Sequence, residues 1–210
     1  MKFSGYRRSD GRVGIRNKVL ILPASICASD VARIVNEQVQ GTVTLHNLLG
    51  CSQTPVDQAC TLHALAGMAA NPNVYGTIVI SLGCENCQMD LVTKEIQKRC
   101  DKPLGTFIIQ KCGGTLHTVE EAVRCARQMV SDASCMKRVE ADLSELMIAT
   151  ECGGSDPTSG LAANPLVGAV SDEVVKAGGT AVLSETTEFI GAEHLLARRA
   201  VNTKVANQIL

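Results

Sequence analysis

The chain has 210 residues, 45% of them hydrophobic and 20% charged, and a formal net charge of −1. That length buries a substantial core in one large or two small domains, and the near-neutral balance offers no electrostatic case for nucleic acid or an anionic membrane. With three Phe, two Tyr and no Trp, there are few rings to stack on bases, and the core falls to Val, Ile, Leu, Ala and Met.

The opening segment, MKFSGYRRSDGRVGIRN, is polar and basic and lacks the apolar stretch of a secretion signal. No later run is long enough to span a bilayer. The chain therefore reads as cytoplasmic and not membrane-bound. In a reducing compartment its ten cysteines are core fillers, metal ligands or catalysts rather than disulfide partners.

Short aliphatic runs then alternate with longer amphipathic ones. Strands are predicted at 18–24, 42–48, 75–83, 104–110, 146–150 and 179–185, most of them continuous in β-branched and aliphatic residues, as strands covered on both faces should be. Helices are predicted at 28–39, 55–70, 87–100, 117–131, 164–177 and from 190 to the end. The alternation implies α/β architecture: a doubly wound, mostly parallel, Rossmann-like three-layer sheet with right-handed crossovers. No linker or repeat divides the chain, so one domain over 1–210 is expected. A subdomain seam is the alternative reading of the charged stretch 132–145. The last predicted helix reaches the terminus without a glycine or proline stop, which reads as a fragment of a longer chain.

Polar residues cluster after the strands. Cys27 follows the first, and His46, Cys51 and Gln53 follow the second. Cys84, Glu85, Asn86, Cys87 and Gln88 follow the third, and Gln110, Cys112 and Thr115 the fourth. The fifth leads into ECGGSDPTSG and the sixth into Glu185, Glu188, Glu193 and His194. Ligands of open α/β sheets bind outside the carboxyl ends of the strands, so these loops are expected to converge on one rim.

Cys60, Cys100, Cys125 and Cys135 fall on helices or a connection and suit packing or the surface, and Cys27 reads as structural. Cys84 and Cys87 form a CxxC with no second metal-binding pair, which disfavours a structural zinc ribbon. Cys51, Cys84 and Cys152 each adjoin glycine in a strand-to-helix turn, where a thiol can serve a soft metal or simply fill a bend. The Gly pairs 113–114 and 153–154 suit an anion or a plain turn. Neither makes a nucleotide-binding fingerprint. The arginines Arg7, Arg8, Arg12 and Arg16 suit a carboxylate clamp or a solvated arm. Of the four histidines, His46 stands nearest a thiol loop.

Taken together, GYRRSDGRVGIRNKVLILPASICA, GCSQ, LGCENCQ, QKCGGT and the block from CGGSDPTSGLAANP to HLLARRAV resemble the large catalytic region of the altronate and galactarate dehydratases. The large subunit of sulfolactate sulfo-lyase is similar. The resemblance implies a hydro-lyase that dehydrates a sugar acid of altronate or galactarate type to a 3-deoxy-2-keto acid at an iron centre. It implies Cys51, Cys84 and Cys152 around Fe(II), with an iron–sulfur cluster as the alternative. Glu85, Glu185 and His194 are the implied acid and base groups, and Arg12, Arg16, Ser155 and Asp156 the substrate contacts. It also implies a small domain or partner subunit and a further carboxyl-terminal region, with a homo-oligomer as a further expectation. The alternatives are a sulfolactate sulfo-lyase subunit releasing sulfite and a non-catalytic binding or assembly domain.

Overall fold

A computed structural model describes residues 1–210. Its elements run in the order β1 (Lys2–Arg7), β2 (Val13–Gly14), β3 (Lys18–Pro23), α1 (Ile26–Gln38), β4 (Thr42–Thr44), α2 (Pro55–Ala70), β5 (Val74–Ser81), α3 (Met89–Gln97), β6 (Leu104–Ile108), α4 (Thr115–Cys135), β7 (Val139–Asp142), β8 (Met147–Thr150), α5 (Asn164–Lys176), β9 (Thr180–Leu183), α6 (Glu193–Ala197) and α7 (Thr203–Ile209). No helix is long and apolar enough to cross a membrane. Where the sequence reads as one domain, the chain separates into two compact units. The larger is Phe3–Ala141 and the smaller is Met1–Lys2 with Asp142–Leu210, a division inside the charged stretch 132–145.

The larger unit is built on a four-stranded, all-parallel sheet in the order β4-β3-β5-β6. Strands β3 and β5 lie at its centre, and their side chains alternate between two apolar cores. Val19, Ile21, Ile78 and Ile80 pack with Val31, Val35, Ala122 and Ala126 of α1 and α4. Leu20, Leu22 and Val79 pack with Leu65, Ala66, Val92 and Ile96 of α2 and α3. This is the doubly wound, three-layer arrangement that continuous aliphatic strands require. The order reverses between β3 and β5, which creates a topological switch point there.

Local chemistry sets the boundaries. Helix α2 starts where Thr54 accepts a hydrogen bond from Asp57 N–H, with Pro55 in the first turn. Helix α4 follows Gly113 and Gly114, both at positive φ. Strand β4 ends at Thr44, short of the predicted 48, because the buried Asn47 amide turns the chain: its Nδ2 donates to Pro23 O and its Oδ1 accepts from Leu49 N. A small sheet in the order β2-β1-β7 was not foreseen, since its strands lie in segments that read as a polar arm and a connection.

In the smaller unit β8 and β9 form a parallel pair of their own rather than extending the four-stranded sheet, and α5 connects them. The single helix expected from 190 onward is instead the two short helices α6 and α7, the second opened by the Asn202 side chain accepting from Val205 N–H. Val174 is the one buried apolar residue between β8 and the end of the chain, while Met147, Leu161, Leu166 and Ile190 stand more than 60% exposed.

The central strand is the sensitive point. Ile21 is 0% exposed, so Ile21→Ala should cost about 2–5 kcal/mol, measured as a lowered urea midpoint with an unchanged slope.

Candidate functional site

In a parallel sheet every strand points its carboxyl end to the same edge. In the larger unit that edge carries the loops after β3, β4, β5 and β6, so Cys51, Cys84 and Cys112 share one rim, beside the switch point.

Two of these loops are stitched together. Cys87 N–H donates to Gly50 O at 2.9 Å, Ser52 N–H to Asn86 Oδ1 at 2.7 Å, and Gln58 Nε2 to Asn86 O at 2.5 Å. Within the first loop Gln53 Oε1 accepts from Gly50 N, and Gln53 Nε2 donates to Thr61 Oγ1. Gly50 has φ +95°, and a Cβ there would stand 2.2 Å from Ala24 O, so only glycine lets this loop close over the end of β3. The Cys51 and Cys84 thiols emerge exposed from this scaffold, whereas Cys87 is buried. Burial, then the neighbouring Glu85 and Cys51, push the Cys87 thiol up, so it stays protonated. A cleft of about 580 Å³ adjoins the rim, lined by Cys51, Ser52, Gln53, Asp57, Cys60 and Thr61 among others. Cys60, read from sequence as packing or surface, is therefore an exposed thiol in the same cleft as Cys51.

Glu85, expected as an acid or base, has a different place. It is 2% exposed, and both carboxylate oxygens are taken by its own loop: Leu82 N–H donates to Oε1 at 2.9 Å and Gly83 N–H to Oε2 at 2.6 Å. Burial alone would raise this carboxyl, but the adjacent Ser81 hydroxyl and the N–H groups of Glu85, Gly83 and Leu82 hold it below the usual carboxylate range. Ser81 Oγ makes no hydrogen bond of good geometry, so the backbone N–H groups carry that effect. A carboxylate so held is a poor proton acceptor. It acts as the clasp of the Gly83–Cys87 turn.

The arginines depart from expectation more sharply. Arg12 pairs with Asp10 at 2.6 Å and donates to Ala70 O at the end of α2. Arg16 N–H donates to Asn73 Oδ1, just before β5. Both lie at the amino edge of the sheet, opposite the thiol rim, and are no clamp for a ligand bound there. Arg8, buried, ties the same edge by donating to Pro72 O and Arg16 O. Lys102 bonds Ala69 O and Asn71 O there, and burial lowers it to about 8.

In the smaller unit the carboxyl ends of β8 and β9 bring together three of the expected residues. Cys152 N–H donates to Glu185 Oε2 at 2.7 Å, and Cys152 Sγ lies 3.8 Å from Ser155 Oγ. Glu185 takes the left-handed conformation at φ 59°, a strained position for a side-chain-bearing residue. Asp156 folds back on its own turn, accepting from Thr158 N and Oγ1, which with Ser159 N–H lowers its carboxyl. His194 is exposed on α6, and His46 is exposed between β4 and α2. Neither unit by itself gathers three His, Cys, Asp or Glu side chains closely enough to hold an ion.

Comparison with known proteins agrees with this division of the chain. Residues 5–134 match the family described as D-galactarate dehydratase/altronate hydrolase, second domain. Residues 143–210 match D-galactarate/altronate dehydratase, C-terminal. The chain belongs to the galactarate and altronate dehydratase family. The beta subunit of (2R)-sulfolactate sulfo-lyase from Chromohalobacter salexigens is 40% identical over 203 residues, covering 97% of this chain and 51% of that one. The altronate dehydratase of Bacillus subtilis is 34% identical over 218 residues (99% and 43%), and that of Escherichia coli 37% over 201 (91% and 40%). The chain thus spans about half, or less, of the length of the curated relatives it matches. Membership of a dehydratase and lyase family gives the rim loops a chemical context.

The Glu85 clasp makes a direct test. Its folded carboxyl titrates below its unfolded value, so its stabilisation is present above the ordinary carboxylate range and is lost as pH falls through the folded value. Glu85→Gln should cost about 2 kcal/mol at neutral pH. The gap from wild type should narrow steadily on acidification in thermal or urea melts.

Proposed function

We propose that this chain supplies thiol-bearing loops of an iron-dependent hydro-lyase acting on a sugar acid of altronate or galactarate type. The observation that carries the reading is the family match over nearly the whole chain, whose two parts meet it on either side of residues 135–142. In it, the metal ligands are Cys51, Cys84 and Cys152. The fit rests on the donors themselves: three exposed, unpaired thiols, each in a loop at the carboxyl end of a parallel strand, a soft set suited to iron as a single Fe(II) or a cluster with an open position. When bound, the iron supplies Lewis acidity for the departing hydroxyl.

The remaining work falls to the chain's own side chains. A base removes the proton from the carbon bearing the hydroxyl next to the carboxylate. The hydroxyl on the following carbon leaves with a proton as water, and the resulting enol tautomerises to the 3-deoxy-2-keto acid. Glu185, held beside Cys152 by one carboxylate oxygen, is our first choice for the base, with His194 as the acid. Ser155 and Asp156 are the proposed contacts for substrate hydroxyls. Glu85 holds its loop, and Arg12 and Arg16 lie at the edge of the larger unit's sheet opposite Cys51 and Cys84.

A second reading is favoured by one observation: a relative at 40% identity is named as a sulfolactate sulfo-lyase subunit. The same proton removal would then expel sulfite instead of hydroxide. In either case we place the protein in a reducing cytoplasm, which suits ten unpaired cysteines. The bare apolar surface of Met147, Leu161, Leu166 and Ile190 supports a further polypeptide region or subunit covering the smaller unit.

Anaerobically prepared full-length protein, assayed against a panel of hexonates, hexarates and sulfolactate, decides between keto-acid formation with and without sulfite. Cys51→Ser and Cys152→Ser should each lose bound iron. Glu185→Gln should keep iron while turnover falls by about a hundredfold. Full iron content in both serine variants would end the metal assignment.

A further inference from the structure

The turn that carries Cys51 is held in shape from the neighbouring loop. Ser52 lies at φ 53°, a left-handed conformation that residues bearing a Cβ adopt only when their surroundings impose it. What imposes it is on the adjacent β5–α3 loop. Asn86 Oδ1 accepts the Ser52 N–H at 2.7 Å, and Asn86 O accepts from Gln58 Nε2 at 2.5 Å. One residue on, Cys87 N–H bonds Gly50 O at 2.9 Å. In this geometry the Ser52 hydroxyl lies 3.9 Å from Cys51 Sγ. Asn86 itself sits between Cys84 and Cys87, so its exposed side-chain amide ties the Cys51 turn to the loop that carries Cys84, beside the backbone bond from Cys87.

We propose that Asn86 is a positioning residue: it locks the Gly50–Gln53 turn and thereby fixes where the Cys51 thiol points relative to the Cys84 loop. The inference rests on the reading of Cys51 as an iron ligand for its consequence, but not for its geometry. A side chain that bonds the backbone beside a metal-binding residue orients that ligand, and losing it weakens metal binding without removing a donor. Aspartate keeps the acceptor oxygen at the same place, and alanine does not.

The test uses full-length protein under anaerobic conditions. Iodoacetamide labelling of Cys51 is followed by peptide mass spectrometry across a titration of Fe(II) alone, with the exposed Cys27 as internal reference. In Asn86→Ala the Fe(II) midpoint for protecting Cys51 should rise about tenfold. In Asn86→Asp it should stay close to wild type, and Cys27 labelling should not change in either variant. The proposal is overturned by an unchanged midpoint in the alanine variant, by an equal shift in the aspartate variant, or by Cys27 accelerating in step with Cys51, which would mean general loosening. If Fe(II) fails to protect Cys51 even in wild type, the iron assignment is what has failed. Asn86 is then judged on metal-free labelling. A Cys51 rate altered about threefold or more in the alanine variant alone sustains the positioning role, and identical rates refute it.

Discussion

Strands β3 and β5 are covered by helices on both faces, and that burial governs where chemistry can occur in the larger unit. A strand whose alternate side chains enter two separate apolar cores has no side on which to carry a charge or a reactive group. Ile21, Leu22, Ile78, Val79 and Ile80 fill those positions, all fully enclosed. Polar residues are displaced to the strand ends, and the reversal of strand order between β3 and β5 gathers the loops of the carboxyl edge around one point. Hydrophobic packing brings thiols separated by dozens of residues to one rim, and hydrogen bonds between their loops then set the turns that carry them.

The two edges of this sheet have distinct tasks. The amino edge is a knot of basic side chains on backbone carbonyls: Arg8 on Pro72 and Arg16, Arg12 on Ala70, Lys102 on Ala69 and Asn71. These contacts satisfy carbonyls near the carboxyl terminus of α2, where a positive charge is favoured by the helix dipole. The carboxyl edge has few charges and many hydrogen bonds. Its one buried carboxylate, Glu85, faces inward to its own loop, and thiols, amides and hydroxyls stand exposed beside a few charged or titratable groups such as Asp57 and His46. An edge so organised can present soft donors in fixed positions without a large local field.

Much of this was legible in the sequence. Continuous aliphatic runs at regular spacing revealed the strands, the parallel sheet and four of the six loops at its rim, the last two lying on the separate β8–β9 pair, and α2 falls at residues 55–70 in both readings. What was not legible depended on partners distant in sequence. An arginine-rich arm looks the same whether it clamps a substrate or braces a helix end, and only the position of Ala70 and Asn73 distinguishes the two. Glu85 in a cysteine loop resembles a catalytic acid until its own backbone is seen to occupy both oxygens. Strands β1 and β7 escaped because they are largely exposed and polar, and β2 because it is only two residues long, so alternation is too weak to register. The pairing of Cys152 with Glu185 joins strand ends 33 positions apart, which sequence spacing cannot disclose.

The pair β8–β9 has an implication of its own. Each of these strands is hydrogen-bonded along one side only, so its other side offers a ladder of unused donors and acceptors. Parallel strands seldom persist as an isolated couple. Any segment laid beside β8 or β9 would inherit its alignment from residues 147–150 or 180–183, so growth of this sheet would fix the height of each added strand end relative to Cys152 and Glu185.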